Sequence, residues 1–209
     1  MRGRRARRKD TRTPPFLRAG KQTQIDRRIL EFASRFPGKR LKDINAIVMA
    51  IAGFKRKKFD AQTMEKMYSK RTASQIIQDK FVAVDLPIDV QNRASVHGCI
   101  DYHVVLCSVL RAKGIPAQFV RKKDHSTVHF FLIGKWYEAD VNAALIIRKA
   151  QVMEIRSGFS AAGIELKKPI RALSPEELKA SKKSVVSAHG LDAWDIGIKN
   201  IHDYNRYNK

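Results

Sequence analysis

Gly98-Cys99-Ile100-Asp101-Tyr102-His103-Val104-Val105-Leu106-Cys107-Ser108-Val109-Leu110-Arg111-Ala112-Lys113-Gly114-Ile115-Pro116-Ala117 reads as a helix delivered to a strand. Ile100, Val104, Cys107 and Leu110 recur at the 3.6-residue helical period. Gly114 at the position after the C-cap, with Pro116 just beyond it, stops the helix. The chain from Pro116 to Arg121 is then extended. Thr127 to Ile133 and Lys135 to Val141 are rich in aromatic and β-branched residues and meet at Gly134, which predicts an antiparallel hairpin.

Upstream, apolar residues at helical spacing predict a helix over 25–35 and a second from Leu41 to Gly53, with shorter helical pieces over Met64–Tyr68 and Thr72–Asp79. Val82 to Pro87 is an extended lead-in to a loop that holds Gln91 and Asn92. Downstream, Ser174 as N-cap, Pro175 at the first helical position and acids at Glu176 and Glu177 predict a helix running to about His189. Trp194, Tyr204 and Tyr207 predict a C-terminus packed on the body.

The chain carries 42 Lys+Arg against 20 Asp+Glu over 209 residues, a net charge of +22. Eleven basic residues and two acids fall in the first 28, so +9 sits there and the basicity is not confined to a tail. Residues 1–24 are too charged and too poor in apolar side chains to offset their ordering entropy, which predicts a disordered arm suited to polyanions. Residues 25–209 form one domain. Lys55 to Lys58 reads as a solvated, basic helix end. No apolar run approaches the roughly 20 residues that span a bilayer, and no apolar stretch follows the Arg-rich start as a secretory signal requires. The expectation is a cytoplasmic protein without a membrane partner. Cys99 and Cys107, the only cysteines, lie about 12 Å apart on one helix, too far for a disulfide.

A thiol in the first turn of a helix faces the positive end of the macrodipole and unpaired backbone N–H groups, both of which favour thiolate. Cys99 sits there, after a glycine. A nucleophile of this kind needs a base, itself oriented by a third group. With Ile133-Gly134 as the hairpin turn, Asp140 faces Thr127, and His125 becomes its diagonal neighbour about 7 to 8 Å away. By strand parity His129 shares that face and is the alternative base, but serving it would centre the turn on Lys135-Trp136, which is poor turn chemistry. Cys107, on the apolar stripe, belongs to the core. His103 reads as a polar surface or supporting group. A Cys99/His103/His125/His129 zinc site lacks any CxxC or HExxH element, so the expectation is no metal and no cofactor.

Gly98-Cys99-Ile100-Asp101, then Leu110-Arg111-Ala112-Lys113-Gly114-Ile115-Pro116-Ala117, then Gly134-Lys135-Trp136 with Asp140 in order, resemble the nucleophile helix, following strand and His/Asp hairpin of the transglutaminase-like superfamily. The likeness covers about residues 75–145; Trp194-Asp195-Ile196-Gly197 is further similar to small archaeal-type single-domain members. The resemblance implies an α+β fold with a transglutaminase-like, papain-like core: a nucleophile helix on a small antiparallel sheet, with extra N- and C-terminal helices. His125 has the family's spacing to the turn. The resemblance implies a Cys99, His125, Asp140 triad for acyl chemistry on amide bonds of a protein or peptide, by hydrolysis or transfer to an amine. The Cys99 backbone N–H and, by position, Gln91 or Asn92 are the oxyanion donors. The alternative, from the charge, is a nucleic-acid-associated protein on an inactive scaffold of this kind.

Overall fold

The computed structural model describes residues 15–67, 69–84, 98–122, 125–148, 168–183 and 188–199. Gln91, Asn92, His97, Tyr204 and Tyr207 lie outside the described residues. Helices α1 (Arg27–Ser34) and α2 (Leu41–Ala52) lead to a short strand β1 (Lys55–Lys58), helices α3 (Ala61–Met67) and α4 (Ala73–Asp79), and strand β2 (Phe81–Val84). Helix α5 (Cys99–Ala112) precedes strands β3 (Ala117–Arg121), β4 (Ser126–Leu132) and β5 (Lys135–Ala139). Helix α6 (141–148), strand β6 (Ile170–Ala172), helix α7 (Pro175–Lys183) and strand β7 (Ala188–Gly190) follow.

Two sheets result. β1 and β2 pair in parallel, and the antiparallel sheet has the order β6-β5-β4-β3-β7. Helix α5 is the hub, in contact with α1, α2 and α4 on one side and with β3 and β4 on the other. Every residue from Cys99 to Arg111 is therefore buried, where the sequence pattern had marked a single apolar stripe. The α5-facing side of β4 presents Val128 and Phe130 to the core.

Local chemistry explains the element ends. The Asp26 side chain caps α1 by accepting from the Ile29 N–H at 3.0 Å. Thr72 and Gln75 close a reciprocal capping box on α4. The hairpin between β4 and β5 turns through Ile133 and Gly134, with φ of 48° and 73°, the left-handed pair of a type I′ turn. Its register pairs Leu132 with Lys135 and Val128 with Ala139, as expected from the sequence. Arg111 is buried and donates to the carbonyls of Phe16, Ala117 and Leu191 and to Thr23 Oγ1, so one guanidinium ties α5 to β3 and to both terminal segments.

Four sequence expectations change. Residues 15–24 do not belong to a disordered arm, because Gln22 and Thr23 are buried and the Gln22 N–H donates to Asp192 Oδ2 at 2.7 Å. Lys55–Lys58 is a strand and not a helix end; its partner β2 lies more than twenty residues downstream, outside any local pattern. The chain after Ala139 turns into α6 instead of extending to Val141. Helix α7 is described over Pro175–Lys183 and does not reach His189, because Ala188–Gly190 joins β3 as a sheet edge. Among the described residues no helix is long and apolar enough to cross a membrane.

Candidate active site

Three elements converge at the start of α5. Cys99 is its first residue, held after Gly98 with φ of 147°. A Cβ at position 98 would lie 3.0 Å from Val84 Cγ1 and 3.1 Å from the Ala83 carbonyl oxygen, so only glycine lets β2 pass this close to the start of α5. His125 stands at the end of the β3–β4 connection, directly before β4, where the Lys122 N–H donates to its carbonyl at 2.7 Å. Asp140 follows β5 and heads α6, its Oδ1 accepting from the N–H of Asn142 at 2.9 Å. That cap fixes one carboxylate oxygen and aims the other at the imidazole.

The three side chains form a chain of hydrogen bonds. His125 Nε2–H donates to Asp140 Oδ2 at 3.0 Å, and the same ring hydrogen-bonds to the Cys99 sulfur. With Nε2 engaged, Nδ1 is the nitrogen left for sulfur. Ser126 also bonds the sulfur, through its hydroxyl and its backbone N–H.

Electrostatics follow from this geometry. Burial raises the Cys99 pKa, but the bond to His125, its charge and the two Ser126 contacts outweigh burial and bring it to about 7. Burial lowers the His125 pKa, and the charge and bond of Asp140 together with those of Cys99 raise it to about 10. Burial raises the Asp140 pKa, yet His125, then His103, then the Asn142 N–H hold it well below the usual carboxylate range. The arrangement favours a thiolate–imidazolium pair backed by a carboxylate, with the thiol about half ionised at pH 7. Cys107 has no such company: burial pushes its thiol up to about 11, against the charge of Arg111.

His129 turns away from Cys99. Its Nε2 bonds Glu138 Oε2 at 3.3 Å, and its ring stacks edge-on against His189 with centroids 5.5 Å apart. On β4 it alternates with Val128 and Phe130, so it lies on the sheet face away from α5. The sequence expects parity to set His129 and Thr127 on one face with Asp140, but Asp140 follows β5 and leaves that face, and His129 pairs with Glu138 instead. His125 escapes the rule because it precedes the strand.

Sequence reasoning misses Ser126 and leaves His103 open between a polar surface group and a supporting one; His103 is fully buried one turn after Cys99. Ser126 directly follows His125 and reaches the sulfur from below. The signal for His103 was its i,i+4 spacing from the cysteine, which puts both on one helix face. Asp101, two residues on from Cys99, accepts from the buried Arg71 guanidinium and from the Ala83 N–H, anchoring the first turn of α5 to α4 and β2. Among the described residues no group of three or more His, Cys, Asp or Glu is placed to hold a metal ion.

No protein-family model and no curated protein matches the chain. Among solved structures it is similar to one described as a "Putative Cysteine Protease from Cytophaga hutchinsonii", at 15% identity and a TM-score of 0.51, over 88% of this chain and 48% of that one. The chain thus spans about half the length of that neighbour, and at this identity the likeness is one of fold.

Proposed function

We propose that this chain is a transglutaminase-like cysteine enzyme acting on amide bonds through Cys99, His125 and Asp140. The observation that carries the reading is the His125 ring, which bonds the Cys99 sulfur and the Asp140 carboxylate at once. Its α+β fold, similar to that of the protein described as a "Putative Cysteine Protease", supports the same reading.

In this mechanism the Cys99 thiolate attacks the amide carbonyl carbon and a C–S bond forms. The oxygen takes the negative charge, with the Cys99 backbone N–H as a donor worth about 3 kcal/mol when aligned, and Gln91 or Asn92 as the second donor. The His125 imidazolium passes its proton to the leaving nitrogen as the C–N bond breaks, which releases amine or ammonia and leaves a thioester. Neutral His125 then takes a proton from water or from an acceptor amine as that group attacks. The C–S bond breaks and thiolate and imidazolium are restored. Asp140 stays ionised throughout, holding the ring's orientation and its charge. The substrate class is a protein or peptide amide, in a side chain or in the backbone.

Iodoacetamide titration of the full chain tests the chemistry. Cys99 should be alkylated with a midpoint near its pKa of about 7, far below that of Cys107 at about 11. Equal, slow alkylation of both thiols would overturn the reading.

A second reading rests on the net charge of +22 and on β1, whose Lys55, Lys57 and Lys58 are exposed. It makes the chain a nucleic-acid-associated protein. Fluorescence anisotropy with a short DNA or RNA duplex should then show binding with a steep inverse dependence on salt. No binding at low salt removes it.

A further inference from the structure

His103 is the fully buried side chain that joins the nucleophile's helix to the carboxylate's loop. Its Nδ1 lies 2.6 Å from the Cys99 carbonyl oxygen, which can only accept, so Nδ1 carries the proton. Its Nε2 accepts from the Val141 N–H at 3.0 Å, so Nε2 carries none. Both bonds need one neutral tautomer, and protonation would break the second. Ser126 Oγ is 3.2 Å from Nδ1, Asp140 Oδ1 is 3.7 Å from Nε2, and the His125 ring stands edge-on with centroids 5.6 Å away. The groups that face His103 are therefore Cys99 on its own helix, His125 and Ser126 at the start of β4, and Asp140 after β5, with Glu138 of β5 acting through its charge.

We infer that His103 is a positioning residue: by holding the Val141 N–H it fixes the peptide that follows Asp140 and so keeps that carboxylate aligned on His125 and, through it, the Cys99 thiolate. This role rests on the proposed triad. It goes beyond it in assigning the alignment to a fourth side chain that touches neither the sulfur nor the substrate.

Two isosteres separate the two bonds. In His103→Gln the Oε1 sits where Nε2 was and can accept from Val141; in His103→Asn only the donor toward the Cys99 carbonyl is kept. The readout is the pH profile of Cys99 alkylation by iodoacetamide in the full chain, with near-UV circular dichroism alongside. His103→Gln should keep the wild-type midpoint. His103→Asn should raise it by about one pH unit, with about tenfold slower alkylation at pH 6. If both variants keep the wild-type midpoint, or if Gln shifts it as far as Asn, the positioning role is wrong. A wild-type Cys99 that titrates like Cys107 would instead sink the proposed triad, so the two failures are distinct.

Discussion

Cys99 and Cys107 lie on the same helix, two turns apart and both buried, yet the surroundings of Cys99 bring its pKa down to about 7 while burial pushes that of Cys107 up to about 11. Burial raises both thiols, so burial does not distinguish them. What differs is the company: His125 and Ser126 reach Cys99, whereas Cys107 is 3.9 Å from the Leu191 carbonyl, a weak acceptor contact that does nothing for a thiolate. The molecule thus contains its own control, a structural thiol beside the candidate nucleophile.

Replacing His125 removes the partner that opposes burial at Cys99. In His125→Ala the Cys99 pKa should climb above the ordinary thiol value of 9.0, toward that of Cys107. Iodoacetamide profiles for the two cysteines should then converge. Amide turnover, measured on any peptide substrate found for the wild type, should fall by about 10³-fold or more.

Asp140→Asn tests the third member with little effect on folding. Asparagine is as good a cap as aspartate, so α6 keeps its start. The charge that raises His125 is lost, however, and its pKa should fall from about 10 toward the ordinary imidazole value. With no imidazolium the thiolate loses its counter-ion. Alkylation of Cys99 at pH 7 should slow and turnover should drop by about 10³-fold, while the melting temperature stays near that of the wild type. Unchanged alkylation would remove Asp140 from the site.

Much of this arrangement was legible in the sequence. The turn at Ile133-Gly134 fixes the register of the hairpin as far as Val128 opposite Ala139, and Asp140, the next residue after β5, comes beside His125, the residue before β4. Helix α5 and its stop at Gly114 are local signals. What escaped was tertiary. A stripe of apolar residues cannot announce that a helix is enclosed on all sides, so the sequence leaves His103 open between a surface and a supporting group. The high charge of the first residues hid that Gln22 and Thr23 are held by Asp192 and Arg111, groups far along the chain. Strand face was misassigned for His129 because parity locates side chains relative to one another and not relative to the core.

The pH dependence of stability carries a signature of His103. Burial, with the charge of His125, lowers its pKa from 6.5 to about 4, against the opposing charge of Asp140. Between these values the unfolded chain binds a proton that the folded chain refuses, so stability should rise with pH across this window. Glu138 adds a rise of the same sign only below 4.5, because its own pKa is lowered to about 2. Above pH 4.5 the raised carboxyl of Asp101 pulls the other way, and the raised imidazole of His125 does so as pH nears 6.5, so His103 is read as the difference between the wild type and His103→Gln. The urea midpoint of the wild type minus that of His103→Gln should rise with pH from about 4.5 to 6.5; a constant difference would contradict a buried neutral ring.

Gly98→Ala probes the close approach of β2 to the nucleophile. The added methyl would meet Val82 Cγ1 and the Ala83 carbonyl, each at 3.1 Å, on a backbone with φ of 147° that only glycine adopts comfortably. Strain of this kind costs about 1 to 3 kcal/mol. The start of α5 must also shift, carrying the Cys99 sulfur away from His125. Urea unfolding should show the loss of stability, and alkylation profiles should show the Cys99 midpoint displaced upward.

Ile133→Asn should act in the opposite sense. Ile133 holds φ of 48° in the turn and is 81% exposed, so its branched side chain bears left-handed strain with little burial to offset it. Asparagine tolerates that conformation and is the preferred partner of the following glycine in a type I′ turn. The variant should be more stable by about 1 kcal/mol, read as a higher urea midpoint. Because Ile133 lies at the hairpin end far from the residues that bond Cys99, its alkylation profile should superimpose on that of the wild type. A loss of stability would mean that the hairpin turns elsewhere, and with it the register that sets Asp140 beside His125.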